Sequence, residues 1–225
     1  MSLGIPEKIT ALLFDLDGVL TSTAVLHRKA WRQTFENMGQ PFSEQDYLTY
    51  VDGKPRYDGV RSFLASRGLT PPEEEIRRVG DLKNDLVNRI IDEEGITPYP
   101  ASVRYLQAAR EAGLPIGVVT SSANATKVLK AGDLTEFVDA LVDGNVITEQ
   151  HLNGKPAPDS FLEGARRLGI PPEHAAVFED ALSGVAAGHA GGFGHVVGVD
   201  RGNQREALKA NGADVVVDEL DELLS

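Results

Sequence analysis

Two aspartates follow a short apolar run near the start of the chain. The run Ala11-Leu-Leu-Phe14 is continuous rather than alternating, which is typical of a strand covered on both faces of a parallel sheet. Asp15 and Asp17 come directly after it, and Gly18 then permits a tight turn. Ligands of such sheets bind at the carboxyl ends of the strands. The acids could simply end the strand, but the residues on both sides favour a small convergent site.

Three later segments also place reactive side chains after predicted strands. Thr120-Ser-Ser-Ala-Asn124 supplies hydroxyls at the start of a helix, where free N–H groups suit a phosphate, although a plain N-cap has the same residues. Lys155 lies between a Gly and a Pro, which restrain its backbone, but an isolated Lys is usually solvated. Glu179 and Asp180 could cap the next helix or bind a hard cation.

The order of these residues is more informative than any one of them. Two acids, a hydroxyl, a Lys and a second acidic pair, each at a strand end, match the needs of phosphoryl transfer. Catalysis of that reaction depends on positioning and on neutralising the oxygens of the moving group. Mg²⁺ prefers a few carboxylates together with water and phosphate oxygens. The pattern therefore predicts a Mg²⁺-dependent phosphoryl-transfer site.

The scaffold for this site is predicted by alternating strands and helices from Gly95 onward. Buried strands are expected over 114–120, 175–179 and 195–199, and a further one over 214–217. The short segments 139–142 and 146–147 are ambiguous. Helices are expected in the intervening segments, namely over 101–113, 123–131, 158–169, 181–190 and 203–211. This alternation predicts an α/β fold with a doubly wound, Rossmann-like parallel sheet to which the first strand also belongs.

A helical segment interrupts the alternation. Apolar residues recur at helical spacing over 24–39, a loop over 51–59 precedes a short helix over 60–67, and a longer helix runs from 71 to 94. We expect two domains: a catalytic core of residues 1–19 and 95–225, and an inserted helical cap of residues 20–94 that sets substrate specificity. Hinges are expected near 18–23 and 95–100.

Composition narrows the classes of function. The 225-residue chain has a formal net charge of −12, which disfavours nucleic acid because affinity for it comes mostly from cationic contacts. It has no cysteine, which excludes disulfides and thiolate chemistry, and no apolar run long enough for a membrane span. We expect a cytoplasmic monomer that acts on a small anionic substrate.

The four segments together resemble the signatures of the haloacid dehalogenase superfamily. They are Asp15-Leu-Asp-Gly-Val-Leu-Thr, Thr120-Ser, Gly154-Lys-Pro-Ala-Pro-Asp, and Glu179-Asp with the Gly184 that follows. The helical insertion after the first signature is similar to that of the β-phosphoglucomutase branch and its sugar-phosphatase relatives. The residues that carry this narrower resemblance are Thr23, His27, Trp31 and Arg56.

The resemblance implies roles for the four acids. Asp15 would be the nucleophile that becomes an aspartyl-phosphate, and Asp17 would be the general acid and base. Mg²⁺ would be held by Asp15, the carbonyl of Asp17 and Asp180, with Glu179 in support.

The resemblance also implies the residues that bind the substrate. The transferring phosphoryl group would contact Thr120, Lys155 and the backbone of Ser121. A second phosphate on the sugar would contact Arg56, Ser122 and Asn124, and His27 would help to position the acid/base as the cap closes. Ser22 departs from the family pattern, which often has Asp there, and Ala123 stands where the best-known mutases have a Lys for the distal phosphate. Lys54 or Lys83 could compensate for that Lys.

These roles imply a Mg²⁺-dependent β-phosphoglucomutase that interconverts β-glucose 1-phosphate and glucose 6-phosphate through a 1,6-bisphosphate. The alternative is a phosphatase for a small sugar phosphate, which would share every catalytic residue. A dehalogenase would need neither Asp17 nor Asp180. A response-regulator receiver shares the acids, hydroxyl, Lys and Mg²⁺ but is shorter and has no helical insertion.

Overall fold

A computed structural model describes residues 2–225, and its centre is a six-stranded parallel sheet. Met1, which falls in the predicted core, lies outside the described residues. The strands are β1 (Ala11–Phe14), β2 (Ile116–Val119), β3 (Ala140–Val142), β4 (Ala175–Glu179), β5 (His195–Val199) and β6 (Val215–Val217). Their order in the sheet is β3-β2-β1-β4-β5-β6. The predicted doubly wound α/β fold is confirmed.

Ten helices accompany the strands among the described residues. They are α1 (Thr23–Asn37), α2 (Glu44–Asp46), α3 (Arg56–Ser66), α4 (Glu73–Glu94), α5 (Pro100–Glu111), α6 (Ala125–Ala131), α7 (Gly144–Glu149), α8 (Asp159–Leu168), α9 (Leu182–Ala190) and α10 (Arg205–Ala210). A π-helical turn over Tyr47–Val51 follows α2. None of the helices among residues 2–225 combines the length and the apolar character needed to cross a bilayer.

Strand β1 lies in the middle of the sheet and is buried on both faces. Its side chains alternate between two cores: Leu12 and Phe14 face one, and Ala11 and Leu13 face the other. The ring of Phe14 stacks on Phe178 of β4 with centroids 4.4 Å apart. This double burial explains why the strand has no polar residue until Asp15.

The register of the sheet brings the strand ends to one edge. Phe14 of β1 is level with Val118 of β2 and with Phe178 of β4. Asp15 and Glu179 come directly after Phe14 and Phe178, and Thr120 lies two positions after Val118, so all three lie at the carboxyl edge. The structure thus gathers three of the four predicted segments by sheet pairing alone.

Helices α1 to α4 form a separate layer over this edge, around their own aromatic core. Phe35 and Phe63 have ring centroids 4.1 Å apart, and Trp31 stacks on Phe35 at 5.3 Å. The two chain segments that join this layer to the sheet run side by side. The amide of Ser22 donates to the carbonyl of Thr97 at 3.1 Å, and that of Tyr99 donates to Leu20 at 3.0 Å.

Two local expectations need correction or completion. Helix α3 begins at Arg56, so the loop predicted over 51–59 is shorter than expected. Gly59, which suggested a loop, is buried inside this helix, where a Cβ would lie 3.4 Å from Trp31 and Val51. Of the ambiguous segments, 139–142 contributes β3, whereas 146–147 lies in α7, which the Asp143 carboxylate caps.

Candidate active site

Lys155 is buried at the carboxyl edge of the sheet and joins two carboxylates there. Its Nζ donates to Asp15 Oδ1 and to Glu179 Oε1, both at 2.6 Å, and to the carbonyl of Val119 at 3.3 Å. The three donors of the ammonium group thus have three acceptors. Burial alone would lower the pKa of Lys155, but the two carboxylates outweigh it and raise the pKa above its ordinary value. Lys155 is a permanent cation at this site.

Three acids converge beside Lys155. One carboxylate oxygen each from Asp15, Glu179 and Asp180 lies within 4.8 Å of the others, and all three residues are buried. Burial, together with the neighbouring carboxylates, raises the pKa of Asp15 and of Asp180 well above the usual range. One Lys does not neutralise three buried acids, and hard oxygen ligands suit Mg²⁺. The donor set therefore fits a divalent cation.

Two glycines of the motifs make room for these carboxylates. Gly18 has a positive φ of 95°, and a Cβ on it would overlap the Asp180 carboxylate. A Cβ on Gly184 would overlap the carboxylate of Glu179, whose Oε2 accepts from the amide of Ala181 at 2.8 Å. Each glycine thus permits a close approach of backbone to an acid.

Asp17 lies on the open side of Asp15 and is held by hydroxyls. Thr23 donates to its Oδ1, and Thr120 donates to its Oδ2 at 3.5 Å. His27 Nε2 lies 3.9 Å from Asp17 Oδ1. Asp17 therefore contacts both the sheet edge and α1 of the helical layer.

His27 also contacts a buried lysine of α4. Lys83 Nζ lies 3.0 Å from His27 Nδ1 and 4.8 Å from the centroid of the Trp31 ring. Burial lowers the pKa of Lys83 to about 7 and that of His27 to about 4, with the Lys83 charge adding to the effect on His27. His27 is therefore a neutral imidazole near pH 7.

The remaining predicted residues surround the same cavity between the sheet edge and the helical layer. Arg56 lies at the start of α3, with Nη1 3.7 Å from Asp81. The Asn124 amide donates to Asn84 of α4 at 2.9 Å. The predicted residues that line this cavity are Asp15, Asp17, His27, Arg56, Thr120, Ser121, Ser122, Asn124, Glu179 and Asp180. Lys155 is the predicted residue that lies behind the cavity wall rather than on it.

The two suggested substitutes for the family Lys have different surroundings. Lys54 lines the cavity, but its Nζ donates to Ser62 Oγ at 3.0 Å, within the helical layer. Lys83 also lines the cavity and is bound to His27. Ala123 lines the cavity between Ser122 and Asn124 without a polar side chain.

Sequence reasoning did not identify Asp52, which faces the acids from the helical layer. Burial, together with the charge of Glu179, raises the pKa of Asp52 to about 6. The backbone amide of Asp52 donates to the carbonyl of Tyr47 at 3.0 Å. No sequence signal marked Asp52, because its placement depends on how the helices pack; the helical spacing of Lys83 from Val79 and Val87 could have marked that Lys as buried.

Comparisons with known proteins show which proteins this chain is similar to. The profile of the haloacid dehalogenase-like hydrolases matches residues 9–192. The chain is 49% identical to the β-phosphoglucomutase of Mycobacterium bovis over 99% of this chain and 94% of that protein. It is 29% identical to hexitol phosphatase A of Escherichia coli over 96% of this chain and 94% of that protein.

A solved structure is similar over nearly its whole length. The crystal structure of β-phosphoglucomutase from Clostridium difficile has a TM-score of 0.84 and 30% identity, covering 96% of this chain and 93% of that one. The family profile, the sequence identity and the overall structural similarity agree. The chain is an enzyme of the haloacid dehalogenase superfamily and belongs to its β-phosphoglucomutase-like branch.

Proposed function

We propose that this enzyme is a Mg²⁺-dependent β-phosphoglucomutase that interconverts β-glucose 1-phosphate and glucose 6-phosphate through β-glucose 1,6-bisphosphate. The observation that carries the proposal is 49% identity, over 99% of the chain, to a protein of that name. The joining of core and cap residues around one cavity supports it. Residues 20–94 would be the cap, moving on the segments 18–23 and 95–100.

Asp15 would take the phosphoryl group covalently. Its Oδ1 is held by Lys155, which leaves Oδ2 to attack the phosphorus of the bisphosphate. The P–O bond to the sugar breaks as the new P–O bond forms, and the leaving sugar oxygen receives a proton from Asp17. In the opposite direction, a sugar hydroxyl gives its proton to Asp17 while its oxygen takes the phosphoryl group and frees the Asp15 carboxylate.

The contacts of Asp17 would orient its carboxylate for this proton transfer. Thr23 and Thr120 fix the orientation of its carboxylate, and neutral His27 lies close enough to assist without adding a competing charge. Lys83 holds the His27 ring through Nδ1. Thr120, Lys155 and the Ser121 amide would bind the oxygens of the transferring group.

The buried acids would hold the metal ion. Asp15, Asp180 and the carbonyl of Asp17 would be its protein ligands, with Glu179 in support. When bound, Mg²⁺ would neutralise developing charge on the phosphoryl oxygens. Gln204 Nε2 donates to the carbonyl of Asp180 at 2.8 Å and so fixes the backbone of this ligand.

The second phosphate of the bisphosphate would be bound by Arg56, Ser122 and Asn124. The guanidinium of Arg56 lies over the Tyr57 ring, and its ion-pair contact, to the exposed Asp81, is long at 3.7 Å, so its N–H donors can turn to an anion. Lys83 would supply a further positive charge, because an incoming phosphate favours its protonated form.

Product analysis tests the proposal. Purified enzyme with Mg²⁺, β-glucose 1-phosphate and a trace of the bisphosphate should form glucose 6-phosphate, followed by NMR. Steady release of inorganic phosphate without isomerised sugar would instead establish the second candidate, a phosphatase for a small sugar phosphate. That candidate is favoured by the apolar Ala123 and by the hexitol phosphatase among the relatives.

A further inference from the structure

Two serines of the core are hydrogen-bonded to consecutive carbonyls of the cap. The segment Asp52–Pro55, which we name the cap loop, lies over the carboxyl edge of the sheet. Ser121 Oγ, after β2, donates to the carbonyl of Gly53 at 2.9 Å. Ser183 Oγ, in α9 after β4, donates to the carbonyl of Asp52 at 3.3 Å. We name this pair of contacts the serine clasp.

The cap loop is seated in direct contact with the core. Gly53 has a positive φ of 69°, and a Cβ on it would overlap Ser183 Oγ and lie 3.3 Å from the Cβ of Ala181. At the other end of the loop, a Cβ on Gly154 would overlap the ring of Pro55. The two glycines thus let backbone approach from both sides, and the loop has no room to shift inward.

The position of the clasp connects it to the chemistry. Ser121 follows Thr120, and Ser183 lies three residues after Asp180, so both serines belong to the segments that carry the reacting groups. The cap loop between them carries Asp52, which faces the acids, and leads into Arg56 at the start of α3. A displacement of the loop would move both cap residues and open the cavity to water.

The hydroxyls of the clasp have no part in the proposed mechanism. Ser121 would bind phosphate through its backbone amide, which leaves its hydroxyl for the cap, and Ser183 has no assigned role. Other polar contacts between the two layers, among them those of Thr23 and His27 with Asp17 and of Asn124 with Asn84, involve residues that would take part in the chemistry or bind substrate. The clasp instead binds backbone carbonyls, so its strength is independent of the substrate.

We propose that Ser121 and Ser183 are positioning residues that hold the cap closed over the phosphoenzyme and so direct its phosphoryl group to sugar rather than to water. The inference rests on the proposed function. In the competing hydrolysis, a water oxygen bonds to phosphorus, the P–O bond to Asp15 breaks, and the water proton passes to Asp17. Inorganic phosphate and the free carboxylate result. Closure excludes that water.

The double variant Ser121→Ala/Ser183→Ala removes both hydroxyls and keeps the Ser121 amide. A neutral hydrogen bond shifts an equilibrium by roughly fivefold, so the loss of two should raise the ratio of inorganic phosphate to glucose 6-phosphate by about 25-fold. The single variants should each give about half of this effect on a logarithmic scale. Ser66→Ala is the matched control, since its hydroxyl donates to Phe63 at 2.6 Å within the cap.

A second readout does not require turnover. Trp31 is the only tryptophan, is 3% exposed and lines the cavity, so opening should increase quenching of its fluorescence by acrylamide. The proposal predicts increased quenching in the double variant and wild-type quenching in Ser66→Ala, with equal melting temperatures confirming the fold. Unchanged quenching and an unchanged product ratio in the folded double variant would overturn it. If wild type forms no glucose 6-phosphate but the quenching still rises, the mutase proposal fails and the clasp stands.

Discussion

Two buried lysines show how differently the core and the cap are built. Lys155 of the core has two carboxylate partners at 2.6 Å, and they raise its pKa. Lys83 of the cap contacts an imidazole nitrogen and an indole ring, and burial lowers its pKa to about 7. The core lysine is therefore paired with carboxylates before substrate arrives, whereas the cap lysine has no anionic partner at hydrogen-bond distance until a phosphate binds.

The largest expected effect is on the core nucleophile. Asp15→Asn keeps the shape of the side chain but removes the group that would attack phosphorus, so kcat should fall by at least about 10⁴-fold. Steady-state assay of glucose 6-phosphate measures this. Asp52→Asn, an acid-to-amide change on the cap side of the same cavity, is the control and should retain far more activity. Equal losses in the two variants would contradict the distinction between core and cap.

Replacement of the two lysines should have different effects on the free energy of unfolding. Lys155→Met leaves the Asp15 and Glu179 carboxylates buried without their cation, and the free energy of unfolding should fall by about 3–5 kcal/mol. Lys83→Met removes a buried cation without a carboxylate partner at hydrogen-bond distance, so its stability should change by less than about 1 kcal/mol or increase. Urea unfolding of both variants measures the difference. The comparison fails if Lys83→Met is as destabilised as Lys155→Met.

Stabilisation by Mg²⁺ should depend on core residues and not on Lys83 of the cap. At a Mg²⁺ concentration 100 times its Kd, binding to the native state would stabilise the enzyme by about 2.7 kcal/mol. The corresponding rise in Tm should be lost in Asp180→Asn and after chelation with EDTA. Lys83→Met should keep the rise, because the substituted group lies on the cap side. A full Mg²⁺ shift in Asp180→Asn would remove Asp180 from the ligand set.

The lowered pKa of Lys83 should make the free energy of unfolding depend on pH. Its folded pKa of about 7 is below its ordinary value of 10.5, so between these pH values the unfolded chain binds the extra proton. Stability contributed by this group therefore rises with pH across that window, by up to about 1.4 kcal/mol per pH unit. The free energy of unfolding should be measured for wild type and Lys83→Met at pH 7 and at pH 9. From pH 7 to pH 9, the value for wild type should rise relative to that for Lys83→Met. An unchanged difference would mean that Lys83 keeps an ordinary pKa.

The same contrast explains what could be predicted from the sequence. Strand pairing brings Asp15, Thr120 and Glu179 to one edge, so an ordered set of strand-end motifs was enough to locate the core residues. Residues of the cap reach the cavity through helix packing, which has no comparable rule. His27 and Arg56 could be named only through the family resemblance, Lys83 only as a possible substitute for a family Lys, and nothing in the sequence marks Asp52.

Local sequence features did not predict the structure where tertiary packing determines it. Gly59 suggested a loop, but it lies within α3, where a Cβ would be in van der Waals contact with Trp31 and Val51. Arg56 is consequently the first residue of a helix rather than part of a flexible loop. The contacts of the serine clasp were also hidden, since a hydroxyl that binds a backbone carbonyl of another segment leaves no pattern in the sequence.

The central claim is that the carboxylate of Asp15 carries the phosphoryl group. Wild type and Asp15→Asn should be mixed with glucose 1,6-bisphosphate and Mg²⁺, quenched in acid within the first turnovers and digested for mass spectrometry. The account predicts one added phosphoryl group on the peptide that contains position 15 in wild type and none in the variant. A phosphoryl group on another residue, or equal labelling of both proteins, would contradict it.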